Sequence, residues 1–204
     1  MEPKIIWLGH ASFLIESDAG NIYIDPWKVK SGPKADYILI THSHMDHMCE
    51  DDINKLRKDS TVIVGPHDVC EELKGVVDIA PGDVKDLGKI RIEGHSAYNP
   101  KKEFHPLSNN WVGFVADIGG YRIYHSGDTD VIPEMKKIKN IDVALLPVGG
   151  TYTMTAEEAA QAVKLIAPKK AIPMHWGDII GGREDAEKFK KIAKCDVQIL
   201  EPKN

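Results

Sequence analysis

Residues 37–47 read Tyr-Ile-Leu-Ile-Thr-His-Ser-His-Met-Asp-His, a short apolar run that passes directly into three histidines and an aspartate. The run predicts a strand that is covered on both faces, because a half-exposed strand would alternate apolar and polar side chains. His42 and His44 lie two residues apart where the chain leaves this strand, so their imidazoles point to one side. After the turn, Asp46 and His47 can face a second point nearby. Since zinc, manganese and iron all accept imidazole and carboxylate ligands, the stretch predicts a metal site.

Three other predicted strands are followed by a further candidate ligand. His95 follows the strand 89–93, Asp128 follows the strand 121–125, and His175 follows the strand 171–174. A metal ion in a protein usually takes three or four side-chain ligands, so donors beyond residues 42–47 are expected. A lone histidine is more often a polar residue satisfied by hydrogen bonds, but the whole set predicts a cluster. The spacing does not decide which ion each residue would bind.

The pattern along residues 1–204 predicts one layered domain of strands and helices, with no repeat or linker. Predicted helices cover 69–73, 133–139 and 184–194, and two more begin at Glu50 and at Thr155. Thr155 and Glu158 have the spacing of a capping box. The remaining strands are predicted from short β-rich or apolar runs between turn residues. These strands are 5–8, 12–16, 21–25, 61–64, 76–80, 112–118, 143–148 and 197–200.

Composition limits the classes of protein and partner that need consideration. The 204 residues contain 26 Lys and Arg against 31 Asp and Glu, for a net charge of −5. Because no positive excess is available to bind a polyanion, nucleic acid is not a predicted partner. The three cysteines form no close pair, and no apolar run approaches the ~20 residues of a membrane-spanning helix. We therefore predict a cytoplasmic protein with a small-molecule substrate and no membrane partner.

The motifs together resemble the metallo-β-lactamase superfamily. They comprise the H-x-H-x-D-H pattern at 42–47, a separate His, an Asp in the Ser-Gly-Asp-Thr stretch 126–129, and a final His in the Pro-x-His stretch 173–175. Residues 9–12 and 25–26 resemble the metal-dependent hydrolase branch that includes ascorbate-6-phosphate lactonase. The resemblance implies an α+β fold, a four-layer αββα sandwich with the metals at one edge.

The same resemblance implies two divalent metal ions, with zinc favoured and manganese or iron also suited. Some antibiotic-hydrolysing members have cysteine where this chain has Asp128. In this respect the chain resembles the phosphoester and lactone hydrolases of the superfamily. The implied ligands are His42, His44 and His95 for the first ion, Asp46, His47 and His175 for the second, and Asp128 bridging both.

The predicted reaction is hydrolysis of an ester, lactone or phosphoester bond by a hydroxide held between two metals about 3.5–4 Å apart. Asp46 and Asp128 are the predicted catalytic residues, and Asp46 would orient the hydroxide. Neither a G-x-S-x-G motif nor an H-E-x-x-H motif occurs, which disfavours other hydrolase mechanisms. The long loop 96–111 includes two lysines and suits a small anionic substrate. The predicted substrate contacts are His10, His105, Trp111 and Thr153.

Three alternatives remain open at this point. A nuclease or phosphodiesterase would use the same ligands, although the acidic balance disfavours a long polyanion as substrate. By the same resemblance, a redox protein of the flavodiiron type shares the fold. Such proteins carry a His-x-Glu-x-Asp pattern in the first motif, where this chain has His42-x-His44. A non-catalytic metal-binding protein could keep the whole ligand set. Homo-oligomerisation is suggested only by analogy with the superfamily.

Overall fold

The computed structural model describes residues 2–203, and its first sheet has six strands in the order β1 to β6. The strands β1, β2 and β3 pair antiparallel, and β3, β4, β5 and β6 pair parallel. The bounds are β1 (Lys4–Gly9), β2 (Ser12–Ser17), β3 (Gly20–Ile24), β4 (Tyr37–Leu39), β5 (Val62–Gly65) and β6 (Val76–Asp78).

The second sheet has seven strands in the order β13-β12-β11-β10-β9-β8-β7. The strands β7 to β10 pair antiparallel, and β10 to β13 pair parallel. The bounds are β7 (Val84–Asp86), β8 (Arg91–Ser96), β9 (Val112–Ile118), β10 (Tyr121–His125), β11 (Val143–Pro147), β12 (Lys170–Met174) and β13 (Asp196–Val197).

Side-chain alternation along the strands of the first sheet separates two cores. On β2, Phe13 and Ile15 pack into the core between the two sheets, whereas Leu14 packs into a second core on the opposite face. Successive side chains of a strand point to opposite faces, so one short apolar run contributes to both cores. The helices α1 (Glu50–Leu56) and α2 (His67–Glu72) cover that second core.

Two longer helices cover the outer face of the second sheet. Helix α3 (Ala156–Ile166) packs on β11, and helix α4 (Arg183–Ile192) packs on β12 and on α3. The predicted capping box is present: the hydroxyl of Thr155 accepts the N–H of Glu158, and the Glu158 carboxylate accepts the N–H of Thr155 at 2.8 Å. The order helix, sheet, sheet, helix confirms the predicted four-layer αββα sandwich.

The parallel strands bring several loops to one edge of this sandwich. The strands β3 and β4 of the first sheet end at this edge, as do β10 and β12 of the second. Backbone hydrogen bonds join the two sheets there: the N–H of His175 donates to the carbonyl of His10 at 2.9 Å, and the N–H of Val112 donates to that of Thr41 at 3.2 Å. The loops that carry the predicted ligands therefore start from a fixed frame.

Several elements differ from the sequence prediction, among them the last strand, which was predicted at 197–200 and is Asp196–Val197. The strand β7 was not predicted because Val84–Asp86 has one apolar residue among charged ones. The predicted helix 133–139 is a 3-10 helix, Pro133–Lys137. The strand predicted to end at residue 93 continues as β8 to Ser96, so His95 lies inside a strand rather than in a loop after it. Within residues 2–203, every helix is too short or too polar to cross a membrane.

Candidate metal centre

Imidazole and carboxylate groups converge where the loop 41–47 meets the ends of β10 and β12. Three overlapping groups of side chains each offer donor atoms that lie within 4.8 Å of one another. Donors this close around one point can bind a single cation. The groups are His42, His44 and His105; His42, His47 and Asp128; and His10, Asp46, His47 and His175.

Asp128 lies between these groups and contacts all of them. Its Oδ1 atom is 3.4 Å from Nε2 of His47, and its Oδ2 atom is 3.2 Å from Nε2 of both His105 and His175. The side chain is buried, at 4% exposure. Because Asp128 contacts a histidine of the first group and two histidines of the third, its carboxylate can be shared by two cations, as a bridging ligand requires.

Several donor atoms at this cluster are buried and make no hydrogen bond to residues 2–203. They are Nε2 of His47, His105 and His175 and Oδ1 of Asp128. A buried polar atom without a partner costs about 1–3 kcal/mol, and four of them side by side are hard to reconcile with a merely structural cluster. A divalent cation accepts nitrogen and oxygen donors of this kind, so the donor set fits metal binding.

The charges of the cluster are strongly coupled. Burial alone would raise the pKa of Asp128, but His175 and His47 outweigh it and hold that pKa well below its usual value. Burial would lower the pKa of His47, yet the carboxylates of Asp128 and Asp25 raise it well above its usual value. Positive charge between these carboxylates is therefore stabilised. A divalent cation would replace the proton on His47, because a metal-binding imidazole must be neutral.

Asp25 orients His47 from behind. The Oδ2 atom of Asp25 accepts hydrogen bonds from Nδ1 of His47 at 2.7 Å and from the hydroxyl of Thr41 at 2.7 Å, and its Oδ1 atom accepts from the N–H of Thr41 at 2.8 Å. With Nδ1 bound in this way, Nε2 of His47 faces Asp128. The sequence prediction used Asp25 only as part of a family motif and missed this positioning role. Its place directly after β3, at the same edge, was the available signal.

His105 occupies the place that was predicted for His95. The Nδ1 atom of His105 is 2.7 Å from the side-chain oxygen of Asn99, and the N–H of Asn99 donates to the carbonyl of His105 at 2.7 Å. These two contacts close the loop 99–105 and aim Nε2 of His105 at Asp128. His105 was predicted as a substrate contact; the structure places it in the donor group with His42 and His44.

The prediction that His95 joins the cluster is wrong. Inside β8, His95 pairs with Gly113 of β9. Its ring lies on the same face as Glu93, and Nε2 of His95 is 3.5 Å from Oε2 of Glu93. Residues two apart in a strand share a face, so continuing β8 past residue 93 places this histidine beside Glu93 on one face of the sheet. The other six predicted ligands lie in the donor groups: His42, His44, Asp46, His47, Asp128 and His175.

The remaining predicted contacts have different surroundings. His10 is buried, its Nε2 atom is 3.0 Å from Oδ2 of Asp46, and its ring packs against that of His175 with centroids 3.9 Å apart and planes at 42°. Trp111 packs on the rings of His42 and His44 at 4.7 Å, behind the first donor group. Trp111 and Thr153 are both buried, and neither lines the cavity described next.

A cavity of about 300 Å³ opens directly onto the donor groups. Its polar wall contains donor residues from all three groups. Its apolar wall comes from loops that follow β3, β4, β8, β11 and β12. The polar residues are His44, Asp46, His105, Asp128 and His175, and the others are Trp27, Met45, Phe104, Tyr152 and Ile179. A small molecule in this cavity would contact both the metal ligands and an apolar surface.

The fold and this ligand set can be compared with known proteins. The family model of the beta-lactamase superfamily domain matches residues 4–175, which include the six predicted ligands in the cluster. The chain belongs to the beta-lactamase superfamily. Among its relatives, a UPF0173 metal-dependent hydrolase of Methanosarcina mazei is 36% identical, with 97% of this chain and 94% of the relative aligned. Another, from Thermoplasma acidophilum, is 38% identical over 93% of this chain and 90% of the relative.

Solved structures of the superfamily agree with this assignment. A crystal structure of a protein from Parabacteroides distasonis has a TM-score of 0.90 and 33% identity, covering 98% of this chain and 94% of that one. Igni18, a metallo hydrolase from Ignicoccus hospitalis, has a TM-score of 0.81 and 27% identity, covering 99% and 96%. These relatives confirm the predicted superfamily and the predicted class of enzyme, a metal-dependent hydrolase. The closer resemblance to ascorbate-6-phosphate lactonase stays a prediction.

Proposed function

We propose that this chain uses two divalent metal ions to hydrolyse an ester, lactone or phosphoester bond of a small molecule. The observation that carries the proposal is the position of Asp128, whose carboxylate contacts His105 of one donor group and His47 and His175 of another. A single carboxylate in that position can be shared by two cations. The cavity of about 300 Å³ beside it leaves room for a substrate.

The proposed ligands follow the geometry rather than the sequence prediction alone. The donors are imidazole nitrogens and carboxylate oxygens, a set that favours zinc and also suits manganese or iron. The first ion would be held by His42, His44 and His105, the second by Asp46, His47 and His175, and Asp128 would be shared by both.

When bound, such a pair of ions lowers the pKa of a water molecule and polarises the bond under attack. Asp46 is the protein group best placed to orient that water, because it lines the cavity and its Oδ2 atom is held at 3.0 Å by Nε2 of His10. Burial would raise the pKa of Asp46, but the hydrogen bond with His10 and the charge of His47 outweigh it and lower that pKa. Asp46 therefore stays ionised and accepts a hydrogen bond from water.

The overall reaction balances with water alone. The oxygen of water forms a bond to the acyl carbon or phosphorus, the bond to the leaving oxygen breaks, and the leaving oxygen takes up a proton from the water. Asp128 keeps negative charge between the donor groups throughout, since its pKa lies well below the usual value of a carboxyl group. The hydrolase proposal therefore needs no further cofactor.

A substrate panel tests the proposal. Protein loaded with Zn²⁺ or Mn²⁺ is assayed with 4-nitrophenyl esters, a lactone, 4-nitrophenyl phosphate and bis-4-nitrophenyl phosphate, with Asp128→Ala as the control. Turnover of at least one compound by the loaded protein, and its loss in the variant, supports the hydrolase. Turnover of the phosphodiester alone favours the phosphodiesterase alternative. Stoichiometric metal without turnover of any class supports the non-catalytic metal-binding alternative.

A further inference from the structure

The apolar wall of the cavity is unusual for its exposure to solvent. Met45 is 78% exposed, Phe104 is 45% exposed and Ile179 is 56% exposed, and all three line the cavity above the donor groups. Large apolar side chains are expected in the core, where most of those in this fold lie. Three of them around one opening form an apolar rim, the type of surface that binds a ligand.

Ile179 adds a backbone penalty to this exposure. Its φ angle is +63°, in the left-handed region that β-branched residues rarely adopt. Such a conformation is strained and persists where the surrounding structure holds it. Here Asp178 and Ile180, on either side, form an isolated β-bridge. The loop thus presents an isoleucine to the cavity at a position where glycine or asparagine would be less strained.

Two aromatic side chains complete the wall. The rings of Phe104 and Tyr152 meet edge to face, with centroids 4.7 Å apart and planes at 83°. Edge-to-face contacts of this kind are favourable, so the pair fixes the two loops against each other. Trp27 also lines the cavity, and Nζ of Lys28 lies 4.0 Å from the centroid of its ring. Three aromatic side chains of the apolar wall are therefore held by contacts with their neighbours.

Two lysines close in sequence to residues of the cavity wall, Lys102 and Lys28, are already paired. Lys102 binds the carboxylate of Asp130 and the carbonyl of Thr153, both at 2.6 Å. Lys28 binds Asp178 at 2.7 Å. Among the described residues that line the cavity, none is lysine or arginine. The loop from which an anionic substrate was predicted thus contributes no lysine to the lining, and the lining residues other than the metal ligands are uncharged.

We propose that the substrate carries a neutral apolar group, an acyl chain or a ring, that binds between Ile179, Met45 and Phe104 while the scissile bond lies at Asp128. This inference rests on the proposed hydrolase function. A water molecule takes up about 30 Å³, so the 300 Å³ cavity holds roughly ten non-hydrogen atoms of the substrate, enough for its acyl group. The class that fits is a neutral ester or lactone of a medium-length or aromatic acid.

The test compares acyl groups on one leaving group. The metal-loaded protein is assayed with 4-nitrophenyl acetate, 4-nitrophenyl hexanoate and 4-nitrophenyl succinate, whose acyl chain ends in a carboxylate. We expect kcat/KM for the hexanoate to exceed that for the acetate, and that for the succinate, by at least about tenfold. Equal values, or a preference for the succinate, would overturn the proposal.

A matched pair of variants ties this preference to the cavity. Ile179→Ser removes an exposed apolar side chain from the rim, and Val84→Ser removes one of similar exposure, 47%, outside the cavity. Ile179→Ser should lower the hexanoate-to-acetate ratio by about tenfold, whereas Val84→Ser should leave it unchanged. An unaltered ratio in both variants would place the acyl group elsewhere and overturn the proposal.

A binding measurement separates this inference from the hydrolase proposal. The methyl resonance of Met45, assigned with Met45→Leu, is followed by NMR while neutral hexanamide or acetamide is added. Hexanamide should move this resonance at concentrations where acetamide does not. If no compound of the substrate panel is hydrolysed but hexanamide shifts Met45, the hydrolase proposal fails and the apolar site stands. If esters are hydrolysed without chain-length preference and Met45 does not respond, the apolar site fails and the hydrolase stands.

Discussion

The Nε2 atom of His105 lies 3.2 Å from the Oδ2 atom of Asp128, although neither residue belongs to the histidine-rich loop 42–47. This contact connects the long loop after β8 with the loop after β10. It places an imidazole opposite His42 and His44, and so completes the first donor group. The contact also decides between two histidines, because His95 faces Glu93 instead.

Replacing His105 and His95 one at a time tests which of the two histidines binds metal. We expect His105→Ala to lower the bound metal from about two ions per chain to about one, since it removes one of three donors. His95→Ala is the matched control and should leave the metal content unchanged. Metal is measured by mass spectrometry of the elements after dialysis against trace zinc. A loss of metal in His95→Ala with none in His105→Ala would reverse the assignment.

Asp128→Asn should disturb both ions at once. The amide keeps the shape of the side chain but removes the negative charge that faces His47, His105 and His175. We expect a metal content below one ion per chain and a loss of activity greater than about a hundredfold. A hundredfold is the largest loss usual for a residue that only positions a metal ligand, and Asp128 is itself proposed as a ligand. Circular dichroism serves as the control for folding. Retention of both ions would show that Asp128 is not shared between them.

Asp25→Asn tests the support of His47 without touching a donor of the cluster. The variant weakens the hydrogen bond that fixes Nδ1 of His47 at 2.7 Å. Metal affinity should fall by about 10–100-fold, the usual effect of losing such a partner. Competition with a coloured chelator measures the affinity. Asp36→Asn, which loses an ion pair with Lys58 on the surface, is the control and should bind metal like the wild type.

Glu93 provides a pH-dependent test away from the cluster. The hydrogen bond from Arg122 is the largest influence on the pKa of Glu93 and lowers it. A carboxyl group with a lowered pKa in the folded state stabilises the fold above its unfolded pKa of about 4.3, and this contribution is lost as the pH falls through the folded pKa. Glu93→Gln should therefore lower the free energy of unfolding by about 1.5 kcal/mol at pH 7.

The difference between wild type and Glu93→Gln should shrink steadily as the pH is lowered below about 4.3. Urea unfolding of metal-free protein at a series of pH values measures it. Glu16→Gln, which removes an exposed ion pair with Lys4, is the matched control and should change the free energy of unfolding by less than about 0.5 kcal/mol. If the loss of free energy of unfolding in Glu93→Gln does not depend on pH, the negative charge of Glu93 is not what stabilises the fold.

Much of the fold was predictable because its signals are local. The strands β9 (Val112–Ile118) and β10 (Tyr121–His125) have the predicted bounds, since apolar runs flank the turn residues Gly119 and Gly120. The capping box of Thr155 is likewise a local pattern. Strand β7 is three residues long with one apolar side chain, and it forms because β8 pairs with it. A pairing of that kind leaves little trace in the sequence.

The candidate site was predictable where ligands directly follow a strand. His42 and His175 follow β4 and β12, whose ends are marked by apolar runs. His105 comes from a loop without periodicity and is oriented by Asn99 through contacts that depend on the folded loop. The exposed rim escaped prediction for a similar reason, because Ile179 becomes part of a cavity only when several loops meet.

The most direct test of the account is a crystal structure of the zinc-loaded protein with anomalous scattering measured at the zinc edge. Two peaks are predicted, one bound by His42, His44 and His105 and the other by Asp46, His47 and His175, with Asp128 touching both. A single peak, or a peak bound by His95, would contradict the account.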